Sequence, residues 1–294
     1  MLEIAGVSRS FGLKQVLHDV SFCVEGGRMT GFVGANGAGK TTTMRIILGV
    51  LSRDAGTVTL NGAPLSAADR RRFGYMPEER GLYPKMKVAE HIVYLARLHG
   101  LTPAAAQRNT MALLERLNLA DRAHTTVESL SLGNQQRAQI AAALVHSPDV
   151  LVLDEPFSGL DPFAVETVQG VLKDRAASGI PVLFSSHQLD IVERLCDDLV
   201  VIANGEIRAA GSTEKLRADH GSSQYDLVLD GPAGWVSGEP GVTTPTIDGN
   251  HATFRTDSAD TAQAVLQKAL GRGRVLRFSP QEASLAQIFR EVIQ

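Results

Sequence analysis

The stretch "GANGAGKTT", Gly34–Thr42, decides how this 294-residue chain folds. It follows the apolar run Met29–Val33 and overlaps the start of Thr41–Leu48, where apolar residues recur at helical spacing. The order is therefore strand, glycine-rich loop and helix. The pattern G-x-x-x-x-G-K-[ST] is met by Gly34, Gly39, Lys40 and Thr41.

A loop of this composition between a strand and a helix can hold phosphate. Its glycines let successive backbone N–H groups converge on phosphate oxygens, and the helix N-terminus adds positive potential. Lys40 can reach the terminal phosphates, and the Thr41 hydroxyl can bind Mg²⁺. A flexible glycine turn is the alternative for the pattern alone. The residues expected to contact the nucleotide are Gly34, Ala35, Asn36, Gly37, Ala38, Gly39, Lys40, Thr41 and Thr42.

Composition excludes several classes of protein. The chain is 44% hydrophobic and 21% charged, with a net charge of −3, so it has no general attraction to nucleic acid or anionic lipid. No segment approaches the ~18 consecutive apolar residues of a membrane span. The N-terminus shows no secretory signal, which predicts a cytoplasmic location. Cys23 and Cys196 form no CxxC pattern, and both are predicted to be small core residues.

The pattern of apolar residues predicts an α/β core. Alternating residues over the first thirty positions indicate half-buried strands, and helical spacing from Met86 to Pro148 indicates a helical subdomain. The runs Val150–Leu153 and Pro181–Phe184 are continuously apolar, as in strands covered on both faces. Those strands predict a parallel sheet with helices packed against it.

The composition changes beyond Gly211, and a domain boundary is predicted near Ser212. Gly, Pro, Ser and Thr crowd the stretch from His220 to Asn250. A small α+β domain over 212–294 is expected, after a larger α/β domain over 1–211 that contains the phosphate loop. Its predicted strands are Tyr225–Asp230, His251–Thr256 and Val275–Phe278, and its predicted helices are Ser258–Leu270 and Ser284–Ile293.

Two acids follow the strand Val150–Leu153. Asp154 lies where a parallel strand ends, near the phosphate loop, and can bind Mg²⁺. Glu155 can then orient or deprotonate an attacking water molecule. An acidic strand end that faces solvent is the alternative.

Further motifs in order make the chain resemble the ATP-binding subunit of an ABC transporter. Leu130–Arg137, LSLGNQQR, resembles the signature of that family; Ser158–Asp161 resembles its D-loop, and Ser186–His187 its switch histidine. The resemblance covers residues 1 to about 211. It implies a P-loop ATPase core with a parallel sheet, an antiparallel β subdomain and a helical subdomain, binding ATP and Mg²⁺.

The resemblance also implies a dimer. In the family, two subunits face head to tail, and each ATP lies between the P-loop of one and the signature of the other. Ser131 and Gly133 match the signature positions, at the start of a helix through Gln135 to Val145. Ser131 can also cap that helix. Leu132 and Asn134 depart from the usual glycine and glutamine, which leaves the tightness of phosphate contact open.

Three further positions match the family's pattern. Glu78 replaces the Q-loop glutamine and would approach Mg²⁺ through a carboxylate, unless it is only a loop acid. Phe11 matches the aromatic residue that stacks on adenine, with a core aromatic residue as the alternative. His187 follows the strand Pro181–Phe184, where it can bond to the γ-phosphate.

The expected function is ATP hydrolysis that powers an ABC transporter, by implication an exporter. The expected partners are a second copy of the chain and separate transmembrane permease subunits, on the cytoplasmic face of the membrane. The helical subdomain and the loop Glu78–Lys87 are the expected contacts with the permease. No nucleic-acid partner is expected. Two alternatives stay open, a soluble ABC-type ATPase that acts on ribosomes or DNA and a nucleotide-gated module that barely hydrolyses ATP.

Overall fold

The computed structural model describes residues 1–79, 81–220, 224–281 and 284–293. The chain divides into two compact units, Met1–Thr213 and Glu214–Val292. No helix in the described part of the chain has the length and apolar character that a membrane crossing requires.

The first unit is an α/β structure with ten strands and seven helices among its described residues. Its strands are β1 (Leu2–Phe11), β2 (Lys14–Val24), β3 (Met29–Val33), β4 (Ala55–Leu60), β5 (Ala63–Pro64), β6 (Phe73–Met76), β7 (Val150–Leu153), β8 (Val182–Ser186), β9 (Asp198–Ala203) and β10 (Glu206–Ser212). Its helices are α1 (Lys40–Ile47), α2 (Ala67–Arg70), α3 (Val88–Leu98), α4 (Pro103–Arg116), α5 (Leu132–Leu144), α6 (Pro162–Ala177) and α7 (Leu189–Leu195).

A six-stranded sheet forms the centre of this unit, in the order β10-β9-β3-β8-β7-β6. All its pairs are parallel except the edge pair of β9 and β10. Every residue of β3, β7 and β8 is buried, which explains their continuous apolar sequence. The register pairs Val33 with Ser186, and Leu153 with both Phe184 and Met76. The carboxyl ends of β3, β8, β7 and β6 therefore lie side by side.

A second, antiparallel sheet has the order β2-β1-β4-β5. On β2 the side chains of Phe22 and Val24 are buried in the core, and Cys23 between them is exposed. The prediction that Cys23 is a core residue is therefore wrong, because successive side chains on a strand point to opposite faces. Cys196 is buried, as predicted.

Helices α3, α4 and α5 lie in the stretch where the sequence predicts a helical subdomain. Thr102 caps α4 by accepting a hydrogen bond from the Ala105 N–H, and Pro103 occupies the first turn. Ser131 caps α5 in the same way through the Asn134 N–H. The parallel sheet, the antiparallel sheet and these helices confirm the predicted fold class.

The second unit is a four-stranded antiparallel sheet with helices. Helix α8 (Thr213–His220) begins at the boundary; then follow β11 (Gln224–Leu229), β12 (Val242–Asp248), β13 (His251–Thr256), α9 (Ala259–Arg272), β14 (Val275–Gln281) and α10 (Leu285–Ile293). The sheet order is β12-β13-β11-β14, and Leu227, Phe254 and Val265 lie in its core.

The strands predicted from Tyr225, His251 and Val275 are present, and β12 is an additional one. The sequence of β12, VTTPTID, has few apolar residues and contains Pro245. Among the described residues it forms the edge of the sheet and pairs only with β13, and at an edge a proline without an N–H donor is tolerated.

Candidate nucleotide and catalytic site

The site lies where the parallel strands β3, β8, β7 and β6 end together. A cavity of about 260 Å³ opens there between the glycine-rich loop and two acidic strand ends. Because ligands of such sheets bind outside the carboxyl ends of the strands, the topology explains how distant motifs share one cavity. Its lining residues are Val16, Asn36, Gly37, Gly39, Lys40, Thr41, Thr42, Glu78, Asp154 and Glu155.

The glycines of the loop are required by space and by backbone angle. A Cβ atom at Gly34 would clash with the carbonyl oxygen of Ile202 on β9. Gly39 has a φ of 113°, and a Cβ atom there would lie 2.6 Å from the Leu17 side chain. The turn is closed by the Ala38 N–H, which donates to the Ala35 carbonyl at 3.1 Å. Gly34, Ala35 and Ala38 therefore shape the loop from outside the cavity lining.

Lys40 is buried and folded back over the loop. Its Nζ atom donates to the Gly34 carbonyl at 2.6 Å and to the Ala35 carbonyl at 3.4 Å. Both acceptors are neutral, so a phosphate oxygen would be a stronger partner for this cation. The geometry suits a lysine that exchanges carbonyl acceptors for a phosphate.

The side-chain oxygen atoms of Thr41 and Asp154 meet in the cavity and are of the kind that Mg²⁺ prefers. The Thr41 hydroxyl donates to Asp154 Oδ2 at 2.9 Å, and Asp154 is 1% exposed. Among the described residues, no group of three or more His, Cys, Asp and Glu side chains could hold a metal ion. Mg²⁺ does not need one, since it is usually bound by one or two carboxylates together with substrate phosphates. Glu78, which follows β6, lines the same cavity.

The side chains of Glu155 and His187 are brought into close contact. His187 Nδ1 lies 2.9 Å from Glu155 Oε1. Glu155 has a φ of 51°, a left-handed backbone conformation that is unfavourable for a residue with a side chain. Three hydrogen bonds hold its backbone: its N–H donates to Ser185 Oγ at 2.8 Å, and its carbonyl accepts from Gln136 Nε2 at 2.9 Å and from the Ser158 N–H at 3.1 Å. In this conformation Glu155 lines the cavity.

Ser185 is a part of the site that the sequence analysis missed. Its hydroxyl is fully buried, donates to Asp154 Oδ1 at 2.5 Å and accepts from the Glu155 N–H. The only signal was a small hydroxyl residue at the end of a strand otherwise apolar, next to the Ser186–His187 motif. Gln136 was visible only as part of the signature stretch.

The signature residues lie apart from the phosphate loop of the same chain. Ser131 and Gly133 are at the N-terminus of α5, and neither lines the cavity. The Leu132 side chain beside them is 60% exposed. Within one chain the structure therefore leaves the signature free to face another molecule.

Phe11 ends β1 and also lies outside the cavity lining. Its ring is 47% exposed, so it is not a core aromatic residue. The guanidinium carbon of Arg9 lies 5.0 Å from the ring centroid. An exposed ring at this position is available to stack on a planar base.

A strand, a phosphate loop and a helix, with a buried aspartate and a glutamate–histidine pair, define a P-loop nucleotide hydrolase. Residues 17–158 match the family model for the ABC transporter, and residues 211–293 match the ATP-binding protein DrrA1-3-like, C-terminal domain. The chain belongs to the ATP-binding subunits of ABC transporters, which hydrolyse ATP to power transport. The resemblance inferred from the signature is confirmed.

Individual relatives agree with this assignment. The uncharacterized ABC transporter ATP-binding protein YhaQ of Bacillus subtilis (strain 168) is 36% identical over 293 residues, which cover 100% of this chain and 98% of YhaQ. The Nod factor export ATP-binding protein I of Burkholderia lata is 39% identical, over 73% of this chain and 72% of that protein. A solved ATP-binding subunit of an ABC transporter is 34% identical, with a TM-score of 0.70, over 75% of this chain and 93% of that chain.

Proposed function

We propose that this chain is the ATPase subunit of an ABC exporter and works as a head-to-tail homodimer with separate permease subunits. The observation that carries the catalytic part is the 2.9 Å contact of His187 with Glu155, beside Lys40, Thr41 and Asp154. The lean to export rests on relatives such as the Nod factor export protein.

The proposed roles follow from the contacts. Lys40 and the backbone N–H groups of the loop bind the phosphates of ATP. Thr41, Asp154 and Glu78 hold Mg²⁺, which when bound neutralises the charge that develops on the transferring phosphate. Glu155 takes the proton of the attacking water, and His187 holds the Glu155 carboxylate and reaches the γ-phosphate.

The case for a second copy comes from what one chain lacks. The signature residues Ser131 and Gly133 are outside the cavity that contains Lys40. Leu132, which lies between them in the sequence, is 60% exposed, and Phe163, at the start of α6, is 68% exposed. A partner that brings its own P-loop to α5 would cover these apolar side chains and place ATP at the positive N-terminus of the helix.

The proposed contact with the permease is a groove of about 410 Å³ in the first unit. Its walls include the side chains of Phe73, Leu82 and Leu95, and Pro77 connects it to the loop that carries Glu78. Tyr83 in that loop is largely exposed. Binding there would hold the chain on the cytoplasmic face of the membrane.

The catalytic assignment is tested with Glu155→Gln. The amide keeps the side-chain size but removes the base, so ATP binding is retained, phosphate release falls by at least about a hundredfold and a closed dimer accumulates with ATP. Glu115→Gln, which removes an equally negative but exposed side chain on α4, is the matched control. Phosphate release by Glu155→Gln at the rate of the control would refute the assignment.

The transport coupling is tested by co-expression with a candidate polytopic permease subunit, sought among the genes that neighbour the one for this chain. The wild-type chain is expected in the membrane fraction, and Tyr83→Glu is expected in the soluble fraction with its ATPase intact. A wild-type chain that hydrolyses ATP but never co-purifies with membranes would favour the soluble ATPase. A chain that binds ATP but shows near-zero turnover with its membrane partner would favour the nucleotide-gated module.

A further inference from the structure

Helix α5 carries two buried glutamines, Gln136 and Gln139, whose side chains reach the two acid-bearing loops of the cavity. They are 3% and 4% exposed. Their spacing of three residues places them on the same face of the helix. The same helix begins with the signature residues Ser131 and Gly133.

Gln136 acts on the loop after β7. Its Nε2 atom donates to the carbonyl of Glu155 at 2.9 Å, with both groups buried. Because Glu155 has a left-handed backbone angle, its carboxylate keeps its direction only while the surrounding bonds hold that backbone. A shift of α5 therefore moves the carbonyl of the proposed catalytic base.

Gln139 acts on the loop after β6. Its Nε2 atom donates to the carbonyl of Pro77 at 2.8 Å and to the carbonyl of Glu79 at 3.3 Å. These are the two carbonyls on either side of Glu78. Both amide hydrogens are used on acceptors, which also fixes the orientation of the amide.

We propose that Gln136 and Gln139 are positioning residues, through which the signature helix holds Glu155 and Glu78 in the cavity of its own chain. The inference rests on the proposed function, since it deepens the roles given there to both acids. Helix α5 then has contacts at two sites: its N-terminus with ATP on the second copy, and its glutamine face with the acids around its own ATP. ATP bound at one site of the dimer is thereby linked to the acid geometry at the other.

Replacing each of the two glutamines is expected to have a different effect on hydrolysis. Gln139→Met leaves ATP binding without Mg²⁺ unchanged and raises the Mg²⁺ concentration for half-maximal hydrolysis about tenfold, because the loop with Glu78 loses its anchor. Gln136→Met lowers kcat about tenfold with little change in KM, because it acts on the base rather than on nucleotide contacts. In a Glu78→Ala background, Gln139→Met has no further effect on the Mg²⁺ requirement.

A matched control is Asn109→Leu. The Asn109 amide donates at 3.0 Å to the carbonyl of Val145, at the far end of the same helix. The Asn109→Leu variant removes the same kind of hydrogen bond from the end of α5 but no bond near Glu78 or Glu155, so we expect it to keep the wild-type dependence on Mg²⁺. Hydrogen exchange supplies a readout independent of hydrolysis: the peptide containing Glu78 exchanges faster in Gln139→Met and not in Asn109→Leu.

The outcomes separate this inference from the proposed function. Should Gln139→Met fail to fold, Gln139→Glu, with the same size but no N–H donors, is measured in its place. The inference is overturned if the wild-type chain is active and the Gln139 variant matches Asn109→Leu in both Mg²⁺ dependence and hydrogen exchange. It is also overturned if the effects of the Gln139 variant and Glu78→Ala on the Mg²⁺ requirement are fully additive. A wild-type chain without ATPase activity overturns the proposed function, while faster exchange of the Glu78 peptide would still establish the contact.

Discussion

The most demanding prediction concerns Ser185, because one hydroxyl supports both acids of the site. It donates to the buried Asp154 carboxylate at 2.5 Å and accepts the Glu155 N–H at 2.8 Å. Ser185→Ala removes a hydrogen bond to a charged group, about 1.5–3 kcal/mol, and leaves a buried N–H without its acceptor, about 1–3 kcal/mol. Allowing for relaxation around the small gap, we expect a loss of about 3 kcal/mol in the free energy of unfolding.

The adjacent Ser186 provides the matched comparison. It is also buried, but its hydroxyl bonds only to the backbone of Gln188, so Ser186→Ala should cost about 1 kcal/mol. For the unit Met1–Thr213, these values correspond to a fall in Tm of about 6–12 °C for Ser185→Ala and about 2–4 °C for Ser186→Ala. Calorimetry of the full chain measures both, and phosphate release is expected to fall in Ser185→Ala. Equal losses of stability in the two variants would refute the reasoning.

Three further predictions follow from single residues. Gly39→Ala, at a φ of 113°, should abolish ATP binding measured by titration and cost about 1–3 kcal/mol of stability; wild-type affinity would contradict it. The pKa of His146 is lowered to about 4, mainly by burial, so the fold loses stability as the pH falls from 6.5 toward 4, by about 2 kcal/mol at pH 5. Urea unfolding at pH 7 and pH 5 measures this loss of stability, and it should be smaller by that amount in His146→Gln. An equal loss in the wild type and the variant would exclude His146 as its source. A thiol reagent should modify Cys23 but not Cys196 in the native chain, and both in urea; two reactive native thiols would contradict the burial of Cys196.

The sequence was sufficient where a local pattern determines the structure. The phosphate loop can be predicted because its function depends on local properties: the positive φ that Gly39 adopts and the cation that Lys40 provides. Strand β7 could be predicted because a strand buried on both faces has no polar alternation. Cys23 was misassigned because its strand is covered on one face only. The alternation of buried and exposed side chains along the strand, not the residue type, decides which face a cysteine occupies.

The sequence was not sufficient where the partners are far apart in the chain. Ser185 and Asp154 are 31 residues apart, and Gln139 and Pro77 are 62 residues apart. No spacing rule connects such pairs. The first pair meets because β8 lies next to β7 in the sheet, and the second because helix α5 packs against β6. Edge strand β12 was not predicted for a related reason: its sequence is mostly polar, and β13 is its one strand partner in the part of the chain that the structure describes.

Glu78, which departs from the family's usual glutamine, also depends on a partner that is distant in the sequence. Glu78 brings a negative charge to a cavity that must accept phosphates and already contains Asp154 and Glu155. Like charges repel unless a cation lies between them, so a loosely held Glu78 would turn toward solvent, away from the cavity. The two hydrogen bonds of Gln139 oppose that movement by fixing the backbone on both sides of Glu78. If Glu78 holds Mg²⁺ as proposed, replacing Glu78 or Gln139 alone should therefore weaken Mg²⁺ binding.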